Sequence, residues 1–325
     1  MQAHVRTLDL SSGGRLFEFL KGKTATKPGQ IGLAYEGQEM AMVWASAEGS
    51  TVKLNHWELL TTQKEGLEQA LLDRVTTLEL ENMPCNVVLD SSQYQLLLLE
   101  APKVEAGELS QALRFVLRDK IDLPLDDVEI ATFPVPEDAY PRQGEMVYAI
   151  AAEKKGILQA RDLVLNIGLD LKSIDIPELS IKNIVSVISQ QSEAVAFLDF
   201  RKDHALLSLS KNGVVYLCRN LNSSIEASTL AFPDWNDRLQ RLVLELQRSL
   251  DYFESQMGQG QVERLLIAPV AGVTNQLIEE LNLNMAVKSE LLNLNQLWGS
   301  FELMNSRDQH DCLYGTGAAL RGLSP

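Results

Sequence analysis

Residues 194–220 read AVAFLDFRKDHALLSLSKNGVVYLCRN, three apolar runs parted by two short polar turns. The runs cover 194–200, 204–210 and 214–220, with Arg201-Lys202-Asp203 at the first break and Asn212-Gly213 at the second. Asn-Gly is a strong hairpin dipeptide because both central positions of a type I′ turn need positive φ. The stretch predicts a three-stranded meander. A long helix is predicted next, from Asp234 as its N-cap to Met257, since Leu239, Leu242, Val243, Leu246, Leu250 and Phe253 recur at helical spacing. Gly258 and Gly260 end it. A short buried strand over 262–268 and a helix over 274–281 follow.

The same order stands much earlier in the chain. After Lys27-Pro28-Gly29, strands are predicted over 30–35, 39–45 and 51–59, with glycines in the connecting turns, then a helix over 63–80. Strand–turn–strand–turn–strand–helix thus occurs twice, with little identity beyond pattern. Two such units facing each other form the skeleton of actin-like ATPases, so a two-lobed α/β fold is expected.

Between the units lies an expected α+β insert. Strands are predicted over 86–89 and 93–99. An amphipathic helix over 105–120 carries Leu109, Ala112, Leu113, Val116 and Leu117 on one face and stops at Leu123-Pro124-Leu125. Strands over 127–133 and 145–152 flank a loop rich in proline and acid, and a helix over 154–167 and a strand over 171–176 lead back. The expected division is a basic tail (1–28), the first half of lobe 1 (29–84), the insert (85–166), a return to lobe 1 (167–193), lobe 2 (194–310) and a C-terminal helix and tail (311–325).

Composition limits function. A chain of 325 residues exceeds one simple core, and 45% hydrophobic residues can fill two. A net charge of −15 argues against nucleic acid as a partner. The basic balance sits in the tail, where Arg6, Arg15, Lys21, Lys23 and Lys27 face only Asp9 and Glu18. Cys85, Cys218 and Cys312 are far apart and have no metal-ligand spacing, so reduced, mostly buried thiols and no metal site are expected. His4, His56, His204 and His310 are equally scattered, and no catalytic residue is assigned. No stretch nears the ~20 apolar residues that span a bilayer. Leu16, Phe17, Phe19 and Leu20, followed by Lys21 and Lys23, have the pattern of a short interfacial helix, though a frayed tail or docking segment is the plainer reading. A cytoplasmic protein is expected, meeting the membrane only through partners.

Several stretches resemble the PilM family of type IV pilus assembly proteins, in particular its MSHA-pilus branch. These are LSQALRFVLRDKIDLPLDDVEIATF (109–133), VYAIAAEKKGI (147–157), IGLDLKSIDIPELSIKNI (167–184), LELQRSLDYFES (244–255) and GTGAALRG (315–322), in the family's order. The resemblance implies an actin-like fold of the FtsA/PilM type with an inserted subdomain. It also implies a cytoplasmic adaptor that binds the N-terminal peptide of a PilN-like inner-membrane protein and couples the assembly platform to its motor ATPase. The family's peptide groove lies between the first lobe and the insert. By position, Tyr94, Leu96 and Leu98 on the strand and Arg114 and Arg118 on the helix are the candidate partner-binding residues. Homo-oligomerisation stays open.

Whether ATP and Mg²⁺ bind is judged at three turns. Phosphate-gripping turns need glycine so that backbone N–H groups approach phosphate oxygens, with an aspartate for metal or water. The first turn, Leu33-Ala34-Tyr35-Glu36-Gly37, lacks the family's aspartate and following glycine. The second keeps Asp199 but has Arg201 in place of glycine, leaving Asp199, Arg201 and Lys202 as residual phosphate-site candidates beside the plainer reading of a solvated basic hairpin tip. The adenosine-side segment, Ala268-Pro269-Val270-Ala271-Gly272, carries proline, which has no N–H. Gly315-Thr316-Gly317 reads as close helix packing. The expectation is an adaptor without a cofactor. The alternative is an active actin-like ATPase, and a GspL-type secretion domain is disfavoured because that family continues into a membrane helix not seen before Pro325.

Overall fold

The computed structural model describes residues 27–323 apart from 37–38, 50, 62–65, 106, 141–143, 191, 202–203, 224–233, 271–273 and 299–302. The basic tail through Thr26, and with it the possible interfacial segment, lies outside the described residues.

The chain opens with β1 (Gln30–Glu36), β2 (Glu39–Glu48), β3 (Thr51–Thr61), α1 (Leu67–Thr77) and β4 (Pro84–Val88). Next come β5 (Tyr94–Glu100), α2 (Leu109–Leu117), β6 (Val128–Pro134), β7 (Met146–Glu153) and α3 (Lys154–Asn166), then β8 (Asp170–Asp175) and α4 (Pro177–Ile188). The second half holds β9 (Ala194–Phe200), β10 (Ala205–Lys211), β11 (Val214–Leu221), α5 (Trp235–Asp251), β12 (Arg264–Ile267), α6 (Thr274–Asn284) and β13 (Lys288–Leu291). It closes with α7 (Leu294–Trp298), α8 (Ser306–Asp311) and α9 (Leu313–Ala319).

The described strands form three sheets. Two have five strands each, ordered β3-β2-β1-β4-β8 and β11-β10-β9-β12-β13. In both, an antiparallel meander is extended by two parallel strands. The duplicated pattern in the sequence is therefore a duplicated sheet. Asn212 (φ 54°) and Gly213 (φ 69°) make the expected left-handed turn between β10 and β11. Every residue of β9 is buried, as a central strand covered on both faces requires.

The third sheet, β5-β7-β6, is antiparallel and belongs to the insert. Its alternation divides two cores. Ile130, Val147, Ala149 and Ala151 pack with Leu113 and Leu117 of α2, while Phe133, Tyr148, Ile150 and Ala152 join the core shared with the lobes. The insert is smaller than the expected 85–166. β4 pairs parallel to β1 inside the first sheet, since a short strand buried at Cys85, Asn86, Val87 and Val88 needs cover on both faces. At the other end α3 packs on β8. The helix predicted over 105–120 is only Leu109–Leu117, and Val116 faces outward. Asp234 does stand at the N-cap of α5, but its carboxylate pairs with Arg238 at 2.8 Å instead of capping.

Two helices exchange lobes. α4 follows the first sheet yet packs on the second, and α9 follows the second sheet yet packs on β1, β2 and β4. They meet closely because glycines remove side chains. A Cβ on Gly317 would lie 2.2 Å from the Ser180 carbonyl oxygen, and one on Gly32 would lie 2.0 Å from that of Gly315. Gly315-Thr316-Gly317 is thus a packing motif. The last carbonyls of α9 accept side-chain bonds from the first lobe and α4: Gly317 from Asn183 (3.0 Å), Ala318 from Asn86 (3.1 Å) and Ala319 from Gln30 (2.9 Å).

Gly317→Ala is expected to lower unfolding stability by about 3 kcal/mol in urea titration, because backbone must shift to admit the methyl group. Gly49→Ala meets no neighbour within 4 Å but sits at φ +62°, so about 1 kcal/mol is expected there.

Candidate functional site

A cavity of about 880 Å³ opens where the two lobes and the insert meet. The first lobe contributes Tyr35 at the end of β1, Leu89 and Asp90 after β4, and Pro177 and Glu178 at the start of α4. These are carboxyl ends of parallel strands, where α/β sheets place their ligands. Arg201, Leu217 and Arg219 come from the second lobe, and β5 with Tyr140 and Tyr148 forms the insert's wall.

Polar bonds tie the insert to both lobes around this space. The Tyr148 hydroxyl accepts from the Cys218 backbone N–H (2.8 Å). Tyr216 donates to Asp138 (3.0 Å), and Gln259 donates to the Asp138 carbonyl (3.1 Å). Tyr94 donates to Glu178 Oε2 (2.7 Å). Beside Arg219, whose guanidinium stands 4.9 Å from the Tyr252 ring centroid, α5 runs into one π turn over Tyr252–Gln256 before Gly258 at φ 66°.

Glu178 is 3% exposed. Burial raises its pKa, opposed by the bonds from Tyr94 and from its own backbone N–H. Burial and this carboxylate push the Tyr94 hydroxyl and the Cys218 thiol up in turn.

The tip of the second lobe has a different solution. Asp199 is fully buried, and its Oδ2 accepts from Arg201 Nε (2.7 Å) and from the Tyr314 hydroxyl (2.7 Å), with Arg201 Nη2 also at 2.7 Å. The guanidinium lies 3.9 Å from the Tyr314 ring centroid. His310 Nδ1 stands 3.0 Å from the Pro269 carbonyl and Nε2 3.2 Å from Arg201 Nη1. A carbonyl only accepts and a guanidinium only donates, so the proton is on Nδ1. Burial and Arg201 lower the His310 pKa, in keeping with a neutral ring. Asp199 therefore addresses a guanidinium where an ATPase would present a carboxylate to hydrated metal. A side chain also stands at position 201, where a phosphate needs open backbone. The Asp199 carboxylate and the turn at 201 are thus taken up by side-chain contacts within the chain.

The structure brings Tyr94, Leu96 and Leu98 together on the cavity wall. It separates Arg114 and Arg118 from them. Arg114 donates to the Val128 carbonyl (3.3 Å) and the Leu125 carbonyl within the insert, and Arg118 is exposed, 5.8 Å from the Phe115 ring centroid. On a helix packed against the sheet's far face, neither reaches the cleft. Arg201 is not a solvated tip residue but 9% exposed in its side chain and ion-paired. Lys202 lies outside the described residues, as do Gly37 and 271–273. Sequence reasoning misses Glu178, Arg219 and Tyr314. The only sequence trace is the tyrosines themselves, six of the chain's seven lining the cavity.

The cysteines are free, Cys85 and Cys312 buried and Cys218 half-buried. Among the described residues no group of three or more His, Cys, Asp or Glu side chains forms a metal site, and no helix is long and apolar enough to cross a membrane.

Two like-ordered sheets, exchanged central helices and a cleft between the lobes define an α/β actin-like fold. No protein-family model matches the chain, and no curated protein matches it in sequence. Solved structures do. A chain of the PilM–PilN type IV pilus biogenesis complex superimposes with TM-score 0.68 at 18% identity, over 91% of this chain and 99% of that one. A Bacteroides thetaiotaomicron protein of actin-like ATPase fold and unknown function gives 0.51 at 11%, over 92% and 99%. The cytoplasmic domain of EpsL, an inner-membrane component of the Vibrio cholerae type II secretion system, gives 0.48 at 14%, over 91% and 99%.

Arg201→Ala strands a buried carboxylate and is expected to cost about 3–5 kcal/mol of stability by denaturant titration. Glu178→Gln should act in the opposite direction. A raised carboxyl pKa means that the folded state favours the protonated form, so stability falls as pH rises above the ordinary 4.5 towards the folded-state pKa. The variant should melt higher than the parent at pH 7, on the order of 2 °C, and the gap should close near pH 4.5.

Proposed function

We propose that this chain is a non-catalytic cytoplasmic adaptor of a type IV pilus assembly platform, of the MSHA type and nearest to MshI. It binds the cytoplasmic N-terminal peptide of a PilN-like inner-membrane protein and links the platform to its motor ATPase. The observation that carries this reading is the insert wall of the cleft. Tyr94, Leu96 and Leu98 alternate along β5 and present a half-buried apolar strip to the cavity, a surface suited to an extended segment. The fold shared with a chain of the PilM–PilN complex supports it.

The closed Asp199–Arg201–Tyr314 cluster favours a scaffold without a cofactor. A second reading, an active actin-like ATPase, draws on the position of the cavity at the strand ends and on Glu178 within it.

Calorimetric titration of the full chain separates the two. The partner's N-terminal peptide is expected to bind, and Leu96→Asp to weaken it about tenfold or more, while Mg-ATP gives no heat. Saturable Mg-ATP binding that Asp199→Ala abolishes would favour the ATPase. An intact fold that ignores the peptide would sink the adaptor.

A further inference from the structure

Five carboxylates are buried among the described residues: Asp175, Glu178, Glu193, Asp199 and Asp311. Four have an arginine partner. Asp175 pairs with Arg321, Glu193 with Arg264 at 2.5 Å, Asp199 with Arg201 at 2.7 Å and Asp311 with Arg307 at 3.2 Å. Glu178 has no cation in ion-pair reach among the described residues, and it is the one of the five that lines the large cavity.

Its surroundings are built for a charged form all the same. The Tyr94 hydroxyl and the backbone N–H of Glu178 both donate to the carboxylate. It sits in the first turn of the 12-residue α4, whose positive dipole end favours an anion. The other ionisable groups in electrostatic contact with Glu178 or Tyr94 are Cys218 and Tyr314, both neutral when protonated. Of the basic residues that line the cavity, Arg201 is committed to Asp199 and Arg219 to Ser249 Oγ and the Tyr252 ring, while Lys120 and His204 form no ion pair with Glu178. What this carboxylate lacks is a counter-charge, and the cavity is where one can enter. Tyrosine ring faces and hydroxyls around it suit a guanidinium or ammonium group.

We infer that Glu178 is the receptor for one cationic side chain, lysine or arginine, of the peptide that occupies the cleft, held between the first turn of α4 and Tyr94. The inference deepens the peptide-binding reading and rests on it. The cationic side chain meets a desolvated carboxylate on the first lobe's wall of the cleft, while apolar peptide residues lie along Leu96 and Leu98. Such a pair sets the register of an extended peptide, which an apolar strip alone does not.

The test is a double-mutant cycle on the full chain. The partner's N-terminal peptide, and versions with each lysine or arginine replaced in turn by norleucine or citrulline, are titrated into the parent protein and Glu178→Gln. One cationic position should lose about tenfold or more in affinity on the parent and almost nothing on Glu178→Gln. The Gln variant still accepts the Tyr94 bond, and circular dichroism checks its fold. Tyr94→Phe should weaken the same position only. Equal losses on both proteins at every position would overturn the assignment while leaving peptide binding intact. If no peptide binds, the adaptor reading fails and the subsite is judged on its own. N-acetyl-arginine methylamide and its citrulline analogue are titrated into protein carrying ¹³C-carboxyl glutamate. A shift of the Glu178 resonance with the arginine compound alone supports the subsite, and no shift, or the same shift with both, overturns it.

Discussion

The contact between α4 and α9 is the constraint on which the rest of this molecule depends. Each helix is made by one half of the chain and packs on the sheet of the other. Neither lobe can therefore complete its core alone. Close approach requires that no side chain stand between them, hence Gly317 facing Ser180, while Gly315 lets α9 settle on Ala41 of β2. It also buries backbone that water cannot reach. Asn183, Asn86 and Gln30 satisfy the last carbonyls of α9 from outside the helix, and in its first turn Ser180 donates to the Tyr314 carbonyl (2.5 Å). A buried carbonyl without such a donor would cost about 1–3 kcal/mol. These polar residues, spread over the first sheet and α4, therefore act as one structural unit.

The same exchange places the chemistry of the cleft. α4 begins directly after β8, so Glu178 is delivered to the carboxyl end of the first sheet. α9 begins with Tyr314 pointing back at β9, where it meets Asp199. The insert then closes the third side, and its bonds reach both lobes through Tyr94, Tyr148 and Asp138. Three units converge on one space, held by these hydrogen bonds and by the apolar core that Phe133, Tyr148, Ile150 and Ala152 share with the lobes.

Local turn chemistry makes both meanders legible in the amino-acid sequence. Asn212-Gly213 has essentially one inexpensive conformation, and the alternation around it settles the strands. Long-range pairing is not legible in the same way. β4 looks the same in sequence whether it joins an insert or a lobe, and only its burial on both faces decides. Val116 lies at helical spacing from Leu109, Ala112 and Leu113, yet it stays exposed on α2. Arg201 reads as a tip residue because its neighbours in sequence are Lys202 and Asp203. Its partners, Tyr314 and His310, come from more than a hundred residues away. Glu178 gives no sign in the segment PELSIKNI, where it is one carboxylate among the 44 of an acidic chain. Its separation from every cation among the described residues is a property of the packed molecule alone.

The two lobes repeat each other in topology and differ in how they handle charge. In the second, Asp199 is neutralised from within, by an arginine two residues along the chain and a tyrosine from α9. An ion pair so enclosed contributes modestly to stability but commits its space. In the first, Glu178 has hydrogen-bond donors but no counter-ion among the described residues, and it faces the cavity where the lobes and the insert meet. A carboxylate held that way carries an unrelieved desolvation penalty, which folding alone gives no reason to keep, since glutamine would hold the same bond to Tyr94. The duplicated frame thus has one closed end and one open end. The open end is bordered by the insert, a unit with its own sheet that the duplication does not explain. That coincidence of an uncompensated charge, a cavity and a non-repeated structural unit is what the proposed peptide site rests on.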